Sequence, residues 1–196
     1  MYTKKSDIKK LEKELGAPVC TEMSYELDPN EFDMVESSMQ FGRAHDVTLF
    51  IKNRDDGEKI AVIRKPFFPP GAYRAPSGAA NPGESLVEGA KREAKEETGL
   101  DIEITRYLVR IGAKFTNGGR TINWTTHIFE ARYISGDIGP IDKGEIAEAK
   151  WVTIDELQGP IRKVLLSSGV ALFAYRVALT DLAVEVMREN KNKEMF

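Results

Sequence analysis

The chain has 196 residues, 41% hydrophobic and 30% charged, with a net charge of -3 and basic residues spread along its length. This is a globular composition, long enough for one good core plus appendages, and it disfavours nucleic acid as a partner. Cys20 is the single cysteine, which excludes an internal disulfide and a tetrathiolate zinc site. No apolar run approaches the ~18 residues of a membrane span, so a soluble, cytoplasmic protein is expected.

In chain order, Ile8, Leu11 and Leu15 fall at helical spacing, and Ser6 and Gly16 are placed to start and stop a short amphipathic helix. From there to about Gln40 the chain is polar, Met-rich and without clear period. Residues 1–40 are therefore expected to be an N-terminal extension. Asp46–Ile51 (DVTLFI) and Lys59–Arg64 (KIAVIR) are β-rich runs around NRDDGE, a turn signal, and predict a hairpin. KPFFPPGAYRAPSG carries four prolines, which excludes regular helix and leaves at most a short strand near Tyr73. Asp101–Lys114 and Thr121–Ile134 are strands joined at Asn117-Gly118-Gly119, and Glu148–Val152 is another. Ile161–Asn190 reads as helix broken near Ser167-Ser168-Gly169. Residues 41–159 are the expected core, and 160–196 a C-terminal helical segment. The apolar positions of 165–187 suit packing on the core or on a second subunit in a homodimer.

Between these elements lies GAANPGESLVEGAKREAKEETGL, residues 78–100. Ser85 followed by Glu88 is a capping box, so a helix should begin just after Ser85, and Gly99 is placed to end it. Leu86, Val87, Ala90 and Ala94 gather on one side, the two alanines letting the helix lie close to a sheet. Glu93, Glu96 and Glu97 share a neighbouring arc with Arg92 at its edge. Like charges at this spacing repel, so the arc either faces water or holds something positive. KREAKEE alone is what a solvated helix face looks like; the surrounding frame is what distinguishes it.

That frame runs Gly78, five residues, Glu84, seven residues, Arg92-Glu93, then Glu96-Glu97 and Gly99. It resembles the Nudix box without a gap. The lead-in Tyr73-Arg74-Ala75-Pro76-Ser77-Gly78 is similar to that of the family, with Ser77 in place of its first glycine. EIAEAKWVTIDEL (145–157) resembles the later acidic loop and Trp-bearing strand. The resemblance implies an α/β fold, an α/β/α sandwich with a mixed β-sheet, box helix on one face and C-terminal helix on the other. It implies metal-dependent hydrolysis of a phosphoanhydride bond in a nucleoside diphosphate linked to another moiety, with Mg²⁺ (or Mn²⁺). Carboxylates on one helix suit such a cation, which takes oxygen ligands and activates water.

By that resemblance the metal set is Glu93, Glu96 and Glu97, with the Ser77 carbonyl and Glu84. Arg92 orients a helix glutamate, and Gly78 lets the loop turn beneath the phosphates. The general base is a box glutamate such as Glu93 or one from the later loop, where Glu145 is expected as either the base or an additional ligand, with Glu148 behind it. Arg64 and Arg74 are candidates for a terminal phosphate or sugar. Phe115 and Trp124 either stack on an aromatic ring of the substrate or belong to the core, and His45 and His127 are expected to be structural. The substrate is a small nucleoside diphosphate derivative, with a nucleotide sugar or a nucleoside triphosphate in view. PSGAANPGE resembles the form found in ADP-sugar hydrolases, yet the proline typical of ADP-ribose enzymes is replaced by Thr116. A nucleotide-binding regulator without turnover is the alternative. An isopentenyl-diphosphate isomerase is disfavoured because Cys20 sits far from the box.

Overall fold

Two long strands form the middle of the sheet because their apolar residues alternate over many positions and a tight turn joins them. In the computed structural model, which describes residues 5–39, 42–54 and 56–194, these are β5 (Asp101–Asn117) and β6 (Arg120–Ser135). Gly118 and Gly119 both have positive φ, 52° and 86°, the requirement of a two-residue turn that matches strand twist. Three register shifts bend the pair.

Around them stand β1 (Val19–Glu26), β2 (His45–Lys52), β3 (Lys59–Arg64), β4 (Ser77–Gly78) and β7 (Glu148–Thr153). The order is β1-β5-β6-β2-β3-β7, with β4 pairing β2. β1 runs parallel to β5, and β2 parallel to β6; the remaining pairs are antiparallel. The sheet is mixed, as expected.

Helices cover both faces. On one side α1 (Lys5–Leu15) and α3 (Leu86–Thr98) contribute Leu11, Leu86, Ala90 and Ala94 to a cluster with Val47, Leu49, Ile51, Tyr107 and Phe129. On the other lie α2 (Pro29–Ser37), α5 (Arg162–Ser167) and α6 (Ala171–Glu194). They pack Phe32, Leu165, Phe173, Tyr175 and Leu179 against Phe50, Val109, Ile111 and Trp124. Between β7 and α5 the chain forms α4 (Ile154–Glu156) and one π-helical turn, Leu157–Ile161, which accommodates Pro160 inside the helical path. Gly169, with φ 74°, lies at the expected break before α6.

The stretch read as featureless before Gln40 contains β1 and α2. Their signals are present: Val19, Thr21, Met23 and Tyr25 alternate with Cys20, Glu22, Ser24 and Glu26. Asp28 and Glu31 form a capping box with Pro29 in the first turn. Gln40 itself lies outside the described residues. Ser6 falls within α1, so it does not cap that helix, and Gly16 ends it with φ 87°. No described helix is long and apolar enough to cross a membrane.

Candidate active site

The site is assembled where α3 meets the loop from Arg74 to Ser85. Ser85 caps α3 through its side chain, Glu88 returns the bond to the Ser85 N–H, and Gly99 closes the helix in the left-handed region at φ 74°. The helix then buries Leu86, Ala90 and Ala94. Its small residues bring backbone close to backbone. A Cβ on Gly89 would lie 2.6 Å from Ala80 Cα, and one on Gly78 would lie 1.9 Å from the Glu93 carboxyl carbon. Gly78 is therefore required for close approach, since its φ is not in the positive range.

Arg92 resolves the crowding of negative charge. Its Nε and Nη2 donate to the two oxygens of Glu84 at 3.0 and 3.1 Å, and its Nη1 donates to Glu93 and Glu96, each at 2.9 Å. Nη2 also donates to the Ala79 carbonyl at 2.6 Å, tying helix to loop. Charge-assisted bonds of this number hold the guanidinium protonated and draw the Glu84 carboxyl below its usual range. Glu84 is further held by the Asn81 N–H at 2.7 Å.

Glu93 and Glu97 are engaged from the loop side. The Ala79 N–H donates to Glu93 Oε1 (3.2 Å), and the Ser77 N–H donates to Glu97 Oε2 (2.8 Å). Burial nevertheless pushes Glu93 up, against the lowering by Arg92. Glu97 is 2% exposed, and its carboxyl is pushed up to about 7, chiefly by burial, with Arg74 opposing and Glu93 adding. Arg74, also buried, is brought down to about 10 by the same desolvation, opposed by Glu97. The two meet only at 3.8 Å, an ion pair without a hydrogen bond, and Glu97 Oε1 has no hydrogen-bond partner. Arg74 instead donates to the Ser77 hydroxyl and the Ala75 carbonyl.

The later loop approaches the same side. Lys65 Nζ donates to Glu145 Oε1 at 2.7 Å, and Glu145 lies near enough to influence Arg74. Glu148 accepts from the Tyr73 hydroxyl (2.6 Å) and lies 3.7 Å from Arg64 Nε. Ser77, Gly78, Glu84, Arg92, Glu93, Glu96 and Glu97 are thus brought together, with Arg74 behind them and Arg64 at the end of β3. Phe115 and Trp124 are not. Phe115 is 2% exposed with its ring against Tyr175, and Trp124 is 7% exposed, donating from Nε1 to Asp46. Both point under α6, so the core alternative describes them and no open ring face is left for stacking. His127 is buried against Tyr107. Asp46, Lys65 and Arg176, all near this assembly, escaped the sequence reading, since no motif marks them.

Among the described residues, no three acidic, histidine or cysteine side chains are drawn together as a ready cage for an ion. Arg92 supplies the positive charge among Glu84, Glu93 and Glu96. The donor chemistry still fits a hard divalent cation. It consists of carboxylate and main-chain oxygens, and one buried carboxylate oxygen, on Glu97, has no proton donor.

Comparison with known proteins agrees with this geometry. Curated relatives include the NAD-capped RNA hydrolase NudC of Chromobacterium violaceum, 37% identical over 103 residues (53% of this chain, 36% of the relative). Its counterpart in Stutzerimonas stutzeri is 32% identical over 121 residues (61% and 41%). The matched part thus spans well under half the length of these relatives. Among solved structures, a MutT protein from Methanosarcina mazei Go1 superposes with a TM-score of 0.53 at 26% identity, covering 76% of this chain and 96% of that one. A UDP-X diphosphatase shares the fold with a TM-score of 0.56 at 20% identity, covering 81% and 72%. Residues 42–168 match the family described as NUDIX domain. On that match, and with the box assembled as described, this chain belongs to the Nudix family.

Proposed function

We propose that the chain hydrolyses a phosphoanhydride bond in a nucleoside diphosphate linked to another moiety, with Mg²⁺ or Mn²⁺ as cofactor. The observation that carries this reading is Glu97: a buried carboxylate, fixed by the Ser77 N–H through one oxygen, whose other oxygen faces Arg74 at 3.8 Å and accepts no hydrogen bond. Such an atom is costly in a merely structural role and useful as an ion ligand. Glu93, Glu96 and Glu97 are the residues that would hold the cation, with Glu84 and the Ser77 carbonyl. When bound, the cation supplies charge for phosphate oxygens and lowers the pKa of a coordinated water.

The chain's own groups do the rest. Arg92 keeps Glu84, Glu93 and Glu96 registered against the Ala79 carbonyl. Gly78 leaves room for the Glu93 carboxylate, where any side chain would collide. Glu145, more than half exposed and held by Lys65, is assigned to take the proton from the attacking water. Arg64 supplies positive charge for the outer phosphate, whereas Arg74, expected in the same role, is buried behind the box and faces Glu97 instead. A nucleoside diphosphate sugar or a nucleoside triphosphate is the substrate class favoured by the box variant. The names of the curated relatives add NAD-capped RNA to the compounds worth testing.

The deciding experiment is a panel of nucleoside-diphosphate-linked compounds incubated with Mg²⁺ or Mn²⁺ and scored for both nucleotide and phosphate products. Cleavage that disappears with chelator supports the reading. One observation favours a second reading, binding without turnover: Arg92 already neutralises three of the carboxylates. Tight nucleotide binding with no product from any compound would favour that regulator.

A further inference from the structure

The helix α6 lies beyond the segment matched to the family, which ends at residue 168, yet one of its side chains reaches the strand that carries the box loop. Arg176 Nη2 donates to Asp46 Oδ2 at 3.1 Å, and Nη1 donates to Thr48 Oγ1 at 3.2 Å. Asp46 is 5% exposed. Its other oxygen accepts from Trp124 Nε1 (3.0 Å) and the Thr126 hydroxyl, and Tyr175 of α6 donates to that hydroxyl at 2.6 Å. A carboxylate so buried persists only with this compensation, and Arg176 is its cation.

The same segment of β2 receives the box loop on its edge. Val47 pairs with Gly78 and Thr48 with Ser77, and the Leu49 N–H donates to the Pro76 carbonyl at 2.9 Å. Ser77 is the residue whose N–H holds Glu97. Arg74 stands between: it faces Glu97 at 3.8 Å, donates to the Ser77 hydroxyl, and feels the charges of both Asp46 and Arg176. The guanidinium thus has three carboxylates in its field, Glu97, Asp46 and Glu145. Lys65 bonds Glu145 and its charge also reaches Glu97, whereas Arg176 is the cation bonded to Asp46.

We propose that Arg176 is a positioning residue for the box: by neutralising Asp46, it keeps the Arg74 guanidinium on Glu97 instead of Asp46. Loss of Arg176 leaves a buried anion on the strand that pairs with Ser77, and Arg74, bonded to the Ser77 hydroxyl, is the cation placed to answer it. The simpler role, an anchor for α6, predicts lost stability but an unmoved Arg74.

The activity arm of the test rests on the proposed hydrolysis; the structural arm does not. A crystal structure of R176Q is expected to show Arg74 within hydrogen-bond reach of Asp46 and withdrawn from Glu97. Its kcat should fall on the order of 30-fold with KM changed less than about 3-fold, as for loss of a group that orients ligands. R176K, which keeps the charge, should restore most of kcat. On a D46N background there is no carboxylate to attract Arg74, so adding R176Q should leave kcat within about 2-fold of D46N alone. That comparison remains available if R176Q alone does not fold. Arg74 still on Glu97 in R176Q, wild-type kcat in folded R176Q, or a further fall of kcat in D46N/R176Q relative to D46N would overturn the proposal. A wild type with no turnover on any compound counts against the hydrolase, and the position of Arg74 in R176Q then decides this proposal.

Discussion

The two faces of the sheet are packed with side chains of different size. Beside Leu86, α3 presents the small residues Gly89, Ala90 and Ala94, and the helix backbone lies against the loop at Ala80. Under α6 they come from Phe115, Trp124, Phe173, Tyr175 and Leu179, an aromatic-rich layer that spans more space. Small residues bring main chain close to main chain, so the N–H groups of Ser77 and Ala79 can hold the carboxylates of Glu97 and Glu93. Large residues bury more apolar area and carry more of the stability. The close packing on the α3 face therefore places the polar atoms of the box, and the apolar contacts on the α6 face carry more of the stability.

Substitutions on the two faces should separate activity from stability. The largest effect is expected from Glu97→Gln, which keeps an oxygen for the Ser77 N–H but removes the charge. Turnover of any compound cleaved by the wild type should fall on the order of 10³-fold, equivalent to about 4 kcal/mol of barrier. The thermal midpoint should move by less than about 5 °C. Wild-type kcat in this variant would remove Glu97 from the reaction. Leu179→Ala on the opposite face should do the converse. Leu179 is 1% exposed, so its truncation is expected to lower the unfolding free energy in urea by about 3 kcal/mol. Its kcat, measured well below both midpoints, should match the wild type. Equal loss of kcat would show that the two faces are not separable.

Gly78→Ala tests close approach itself. The added methyl would lie 1.9 Å from the Glu93 carboxyl carbon, and the cheapest response is for that flexible side chain to swing away. It then loses the Ala79 N–H and Arg92. Turnover should fall about 10²-fold, some ~2.7 kcal/mol of barrier. Stability in urea should change by less than about 1 kcal/mol, since a carboxylate that swings out exchanges part-buried hydrogen bonds for bonds to water. A large stability loss with Glu93 still in place would mean that the loop backbone gives way.

How much of this was legible in the sequence follows from how local each signal is. The helix α3 announces both of its ends, Ser85 with Glu88 and Gly99, within fifteen positions, and the structure caps it with those residues. The β5–β6 turn announces itself through two glycines. Strand β1 gives no such notice of its partner: Tyr25 pairs with Phe115 across the intervening chain, in a parallel register that no turn fixes. Its alternation was readable, and so was the Asp28–Glu31 box of α2, but neither could be placed without that distant pairing. Period two assigns Phe115 and Trp124 to a face of the sheet without saying that α6 covers it, which is why stacking stayed open. Arg176 is the most distant case. Its partner Asp46 lies 130 positions earlier, and nothing near either residue marks the pair.

The smallest expected effect concerns a polar group buried on the α3 side. His127 is 3% exposed, beside Tyr107 and Phe129, and burial brings its imidazole down to about 3, with nearby His45 and Arg110 lowering it and Asp46 raising it. Burial also raises Tyr107, so a neutral phenol shares a hydrogen bond with Nδ1 of a neutral ring, the donor being set by the ring's tautomer. The unfolded imidazole titrates near ~6.5. Between these values the unfolded chain binds the extra proton, so this contribution is fully present above about pH 6.5 and is lost as pH falls toward 3. Unfolding in urea should therefore show the wild type losing about 2 kcal/mol more than His127→Gln between about pH 7 and pH 4.5. The glutamine offers Tyr107 both a donor and an acceptor and has no proton to take up, so the difference isolates the imidazole from every carboxylate titrating in the same range. Identical losses in the two proteins would mean that the ring is reached by water or already charged. The face beneath α3 would then hold its polar atoms less tightly than the packing of Gly89, Ala90 and Ala94 implies.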